Sequence, residues 1–121
     1  MPHRRTVIVD DVSVVDLEPS QPVVYDREIG LHLLFHDDES GAEHYIVRYP
    51  ADVVAERHRH TAAQTIVVIE GRLAVNGTVI GPGGYCHVPG GEPMLHAPAD
   101  GESCLFVTVF DGPFDVHPVE E

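Results

Sequence analysis

The chain has 121 residues, 43% of them hydrophobic, and 20 acidic residues against seven arginines and no lysine give it a formal net charge of −13. That length supports one sizeable core and no second independent one, and a field of that sign repels nucleic acid and anionic membrane surfaces. No apolar run approaches the roughly 18 residues of a membrane span, and Asp10-Asp11 ends the apolar patch behind Arg4-Arg5 before it reaches signal-peptide length, so a cytoplasmic location is expected.

Strand signals dominate from the start, and no amphipathic helix is evident. Thr6 to Val9 and Val12 to Leu17 are β-branched runs expected to form covering strands, followed by a loop at Pro19-Ser20-Gln21-Pro22. Leu31 to His36 and Glu43 to Tyr49 flank the turn-rich Asp37-Asp38-Glu39-Ser40-Gly41, a hairpin pattern closed by Pro50. Thr65 to Glu70 is apolar on both faces, as in a strand buried between two layers. Leu73-Ala74-Val75 and Thr78-Val79-Ile80 are joined by Asn76-Gly77, the strongest short hairpin signal in the chain. Tyr85 to Val88 sits between glycine- and proline-rich breaks, and Cys104 to Phe110 is the last clear strand. Cys86 and Cys104 are too few for a disulfide framework and are read as small buried apolar residues. Roughly eight to ten short strands with such punctuation indicate an antiparallel sandwich or barrel.

The chemistry concentrates in Arg57-His58-Arg59-His60. In an extended strand, residues i and i+2 project from one face about 6.5 to 7 Å apart, so two imidazoles there can converge on one ion.

At this point the chain resembles the cupin family. His58-Arg59-His60, three residues, Gln64, six residues and Gly71 match the spacing of the first cupin motif, with Asp52 at the leading glycine position and glutamine where glutamate is usual. For the second motif, Gly83 lies five residues before Pro89-Gly90-Gly91; His96 follows after four residues, not two, and Gly101 stands beyond it in place of asparagine. The resemblance implies an all-β fold, a double-stranded β-helix or jelly-roll barrel. One domain over residues 1–121 is expected, with a core at about 29–111, N-terminal covering strands at 6–28 and an irregular tail at 112–121. Ile29-Gly30-Leu31, Tyr45 to Pro50 and His96-Ala97-Pro98 ahead of Cys104-Leu105-Phe106 narrow the likeness further. They resemble a branch holding acetylacetone-cleaving dioxygenase, dihydroxyacetophenone dioxygenase and the cupin domain of zinc-containing anti-sigma factors.

His58, His60 and His96 are thereby the implied metal ligands, leaving coordination positions free. Gln64 is neutral and a poor ligand; its even spacing from both histidines turns it inward, where its amide would orient a water or substrate. Three histidines leave the ion's two positive charges uncompensated, which favours an anionic chelating ligand such as an enolate or phenolate. His87, two residues before Pro89, is expected to be a core or surface histidine rather than a further ligand, and His32, His36 and His44 are assigned to a solvated sheet face. Tyr45, Tyr49, Tyr85, Met94, Phe106 and Phe110 are candidates to line a pocket.

Two functions follow from the resemblance. One is a mononuclear non-haem Fe(II) dioxygenase cleaving a small diketone or hydroxyketone; zinc, manganese, nickel or copper suit the same donors. The other is a non-catalytic zinc-bound module for a small metabolite or a protein partner. No segment has the helical pattern of a sigma-binding domain, which puts the enzyme first. A homodimer is expected.

Overall fold

In the computed structural model, which describes residues 6–119, β-branched and aromatic runs become strands wherever alternate residues can be turned into a common interior. β1 (Glu18–Ser20), β2 (Ile29–His36), β3 (Glu43–Tyr49), β4 (His58–Arg59), β5 (Gln64–Glu70), β6 (Leu73–Val75), β7 (Thr78–Ile80), β8 (Tyr85–Val88), β9 (His96–Pro98), β10 (Cys104–Phe110) and β11 (His117–Pro118) follow in chain order. Six form one sheet in the order β1-β2-β3-β10-β5-β8; β7-β6-β9 and β11-β4 form two smaller ones. All pairings are antiparallel. Among the described residues, no helix is long and apolar enough to cross a membrane.

The sheets meet over a shared core. Ile29, Val47, Ile66, Val68 and Phe106 of the large sheet pack with Leu73 and Val75 of the three-stranded one, which makes this a closed jelly-roll barrel rather than an open sheet. Along β5, Gln64, Ile66 and Val68 face inward, and Thr65, Val67 and Ile69 are half-buried on the outside. The second layer expected over that outer face is thus only partial.

Turn chemistry fixes the register. Asn76 and Gly77 both adopt positive φ (48° and 89°), the primed geometry that joins β6 to β7 in two residues. Gly71 also has positive φ (73°), and a Cβ there would lie 2.2 Å from the Ser103 carbonyl oxygen. The glycine that ends the first motif is therefore required by both conformation and space.

Two terminal expectations need correction. Thr6 to Val9 forms no strand, and Val12–Val14 is a single 3-10 turn in which the Asp11 side chain accepts from Ser13 N–H. The edge strand is instead Glu18–Ser20, which overlaps the start of the expected loop, with Pro19 opposite Gly30. An edge strand tolerates a residue with no N–H to give. At the other end the tail is not wholly irregular: β11 pairs His117 with Arg59 and Pro118 with His58. Arg4 and Arg5 lie outside the described residues, as do the last two residues of the tail.

Candidate metal centre

Backbone pairing brings the two halves of the site together. His58 N–H donates to Met94 O at 2.9 Å and Met94 N–H returns to His58 O at 2.7 Å, so β4 runs beside the segment leading into β9. Continued strictly, that antiparallel register would set residue 92 opposite His60; the bond to His60 O comes instead from Gly91 N–H, at 2.8 Å. One extra residue is therefore accommodated on this side, as in a β-bulge. One of the two residues by which the spacing before His96 is lengthened is taken up here, and His96 stays in the cluster.

His58, His60 and His96 are all buried, and one ring nitrogen from each lies within 4.8 Å of the others. The remaining nitrogens are held. His58 Nδ1 donates to Glu56 O at 2.8 Å, and His60 Nδ1 donates to Asp115 O at 2.5 Å. A carbonyl oxygen can only accept, so both protons sit on Nδ1 and both Nε2 atoms carry lone pairs. His96 Nδ1 lies 2.6 Å from Tyr49 Oη. All three Nε2 atoms are buried without a hydrogen-bond partner. Burial also pushes the three imidazoles below their usual basicity, His96 furthest, so all three are held neutral. Neutral imidazoles with orphaned, convergent Nε2 atoms form a donor set that could hold a divalent transition metal, and the held Nδ1 atoms are contacts of the kind that orient such ligands.

Gln64 is inward and buried, as its spacing predicts. Its Nε2 donates to Thr108 Oγ1 at 2.9 Å, and its Oε1 has no partner. The cluster itself contains no carboxylate.

A cavity of about 220 Å³ adjoins these groups, lined by His60, His96, Gln64 and Thr108 together with Tyr45, Tyr49, Phe106, Phe110, Phe114 and Tyr25. Its size is below the roughly 300–1,000 Å³ of drug-sized ligand sites, so it fits a small organic molecule. Tyr85 does not contribute, being 63% exposed on the outer face, and Met94 is buried beside His58 outside the lining. Tyr49 stacks on His96 with rings 5.6 Å apart and 8° from parallel. Phe110 and Phe114 pack on His60 at 5.1 and 5.6 Å.

The other histidines are elsewhere. His87 is exposed and bonds Thr65 Oγ1 at 2.9 Å. His32 and His36 are exposed on β2, with a register shift between Leu33 and Phe35; His44 packs on Phe35. Cys104 is buried and Cys86 half-buried, both as free thiols.

Tyr25, Thr108, Phe114 and Asp115 were not singled out by sequence. Thr108 left a legible sign, a polar residue at inward parity between Phe106 and Phe110. Asp115 left none for its contact with His60, because the accepting group is a main-chain carbonyl that any residue would supply.

The comparisons agree with the fold. Among solved structures, the chain is similar to the polyketide cyclase RemF from Streptomyces resistomycificus at 19% identity and TM-score 0.77, covering 96% of this chain and 87% of that one. An acetylacetone dioxygenase from Acinetobacter johnsonii matches at 17% identity and TM-score 0.71, covering 98% and 79%. A chain in the Rhodobacter sphaeroides complex of SigE with the anti-sigma ChrR matches at 14% identity and TM-score 0.59, covering 69% of this chain and 45% of that one. At such identities the likeness is one of fold. No curated protein matches. The family model described as the ChrR cupin-like domain matches residues 8–115, and with most of the chain inside that match the protein belongs to this cupin family.

Proposed function

We propose that the protein is a mononuclear non-haem Fe(II) dioxygenase cleaving a small diketone or hydroxyketone that binds as its anion. The observation that carries this reading is the set of three buried, unpartnered Nε2 atoms of His58, His60 and His96, the last two of which line a small, largely apolar cavity. Held by His58, His60 and His96, ferrous iron would supply Lewis acidity and one-electron reactivity toward dioxygen. The chain's own contribution is binding and orientation. The phenylalanines and tyrosines exclude water and hold an apolar substrate body, and Gln64 Oε1 offers a hydrogen-bond acceptor at the polar end. No carboxylate base stands in the histidine cluster, which suits a substrate that arrives already ionised. The acetylacetone dioxygenase likeness supports the same substrate class.

Anaerobic purification, metal identification and reconstitution with ferrous iron test the proposal, with oxygen uptake followed on β-diketones and hydroxyacetophenones. Uptake dependent on iron is expected. Tight zinc with no turnover by the iron form would sink it. Replacing His58, His60 or His96 singly with alanine is expected to lower metal occupancy each time, and full occupancy in any one would remove that residue from the ligand set.

The family assignment favours a second reading, a zinc-bound module that binds a metabolite or protein partner without catalysis. The same metal identification and uptake assay separates the two. For assembly we infer a homodimer: Ile8 is 84% exposed between half-exposed Val7 and Val9, an apolar stretch that a second copy would cover. Sedimentation as a monomer at micromolar concentration would refute it.

A further inference from the structure

His96 heads a hydrogen-bonded chain that leads back to the cavity wall. Its Nδ1 lies 2.6 Å from Tyr49 Oη, which lies 2.5 Å from Tyr25 Oη. Tyr49 is fully buried, and Tyr25, on the connection between β1 and β2, lines the same cavity as His60, His96 and Gln64. Two proton arrangements satisfy this chain. In one, Tyr25 donates to Tyr49 and Tyr49 donates to His96 Nδ1; in the other, His96 Nδ1–H donates to Tyr49 and Tyr49 donates to Tyr25.

The metal site selects between them. The first arrangement puts the proton of neutral His96 on Nε2, directed among the free Nε2 atoms of His58 and His60, and a ligating nitrogen cannot keep it. The second leaves the Nε2 lone pair free. It also fixes the remaining proton, because each phenol donates once. Tyr49 spends its proton on Tyr25, and among the described residues Tyr25 Oη has no further protein partner. Its proton is then available to the cavity.

We propose that Tyr25 is a hydrogen-bond donor to an oxygen of the ligand in the cavity, with its donor direction set through Tyr49 by metal ligation at His96. The proposal rests on the reading of the site as a metal centre for oxygen-rich ligands, and it narrows the ligand class. Tyr25 asks for an acceptor, a carbonyl or anionic oxygen, and Gln64 Oε1 asks for a donor. A singly ionised hydroxyketone that retains a hydroxyl meets both demands, and a simple diketonate meets only the first.

The test uses the cobalt-loaded protein and tropolone, an anionic hydroxyketone, with binding followed by visible absorption. Tyr25→Phe, compared with wild type at saturating cobalt, should bind tropolone about tenfold more weakly, the loss of one hydrogen bond to an anion. Tyr49→Phe removes the acceptor of His96 Nδ1–H and should lower cobalt affinity by about tenfold or more. Equal tropolone affinity in Tyr25→Phe and wild type would overturn the proposal. A second measurement needs no variant: nitrogen-15 NMR of the zinc-loaded protein should show His96 protonated at Nδ1, and an unprotonated Nδ1 would overturn it too. If the ferrous protein consumes no oxygen yet Tyr25→Phe weakens tropolone, the dioxygenase reading fails and the donor role stands. Failure of the cobalt-loaded wild type to bind tropolone at all would bring down both.

Discussion

Gln64 decides the charge of the centre. Three imidazoles held neutral contribute nothing to offset a divalent ion, and the residue nearest to doing so is an amide whose Oε1 has no partner. Gln64→Glu keeps the shape and adds a negative charge in a buried place. The ion and the added carboxylate attract, and an anionic ligand then meets a centre of lower charge. The variant should hold cobalt about tenfold more tightly and tropolone about tenfold more weakly, measured by competition with a chromophoric chelator and by direct titration. Unchanged tropolone affinity would show that the position is electrostatically silent. At this scale the buried, convergent histidines and Gln64 were legible and their partners were not. His58 and His60 stand two apart on an extended segment, where parity decides direction, whereas Gln64 follows a bend at Thr61–Ala62 and His96 follows the bulge opposite His60. What holds them is of another kind: the carbonyls of Glu56 and Asp115, and a tyrosine pair reaching His96 from two different parts of the fold. Main-chain acceptors carry no residue identity, and the Tyr25–Tyr49 contact exists only once the segment around residue 25 has closed against residues 54–56.

The elements around the site are fixed at turns and at the tail. Glu43–Tyr49, Leu73–Val75, Thr78–Ile80, Tyr85–Val88 and Cys104–Phe110 form where their β-branched runs predict, because each is bounded by residues that chain geometry demands. β1 and β11 were illegible for a shared reason: they are short, contain proline and exist only through a partner strand. Gly71→Ala should cost at least about 2 kcal/mol, since it combines a strained φ with a backbone collision. Thermal unfolding about 8 °C lower would match that cost. The tail invites a different experiment. The Asp115 carboxylate accepts from Thr61 N–H at 2.8 Å and Thr61 Oγ1 at 2.5 Å, while its own carbonyl accepts from His60. Truncation after Gly112 removes all three contacts together with Phe114 and β11. Metal affinity should fall about tenfold to a hundredfold, against a smaller loss for Asp115→Ala, which keeps the carbonyl. Chelator competition on the two proteins separates the carboxylate clamp from the support of His60.

At the scale of the whole molecule, the three buried histidines are a stability problem that a bound ion would resolve. Three nitrogens lie inside the fold with no hydrogen-bond partner, and a domain of this size has only about 5–15 kcal/mol of net stability to set against the cost of burying unpaired polar groups. An ion that binds the folded state and not the unfolded chain adds RT ln(1 + [L]/Kd), about 4 kcal/mol when it is present at a thousand times its dissociation constant. The sign is therefore fixed: removing the ion lowers the melting temperature, by about 15 °C at that saturation. Thermal unfolding of the metal-loaded protein, of the same protein after chelation and dialysis, and of the reloaded sample checks the size and the reversal. The variant with His58, His60 and His96 all replaced by alanine separates this coupling from any metal bound at the acidic surface. Its melting temperature should be indifferent to zinc, because surface carboxylates remain and the convergent nitrogens do not. A chelated wild type that melts where the loaded one does would mean that the three histidines are buried for packing, and the metal reading would fall with them.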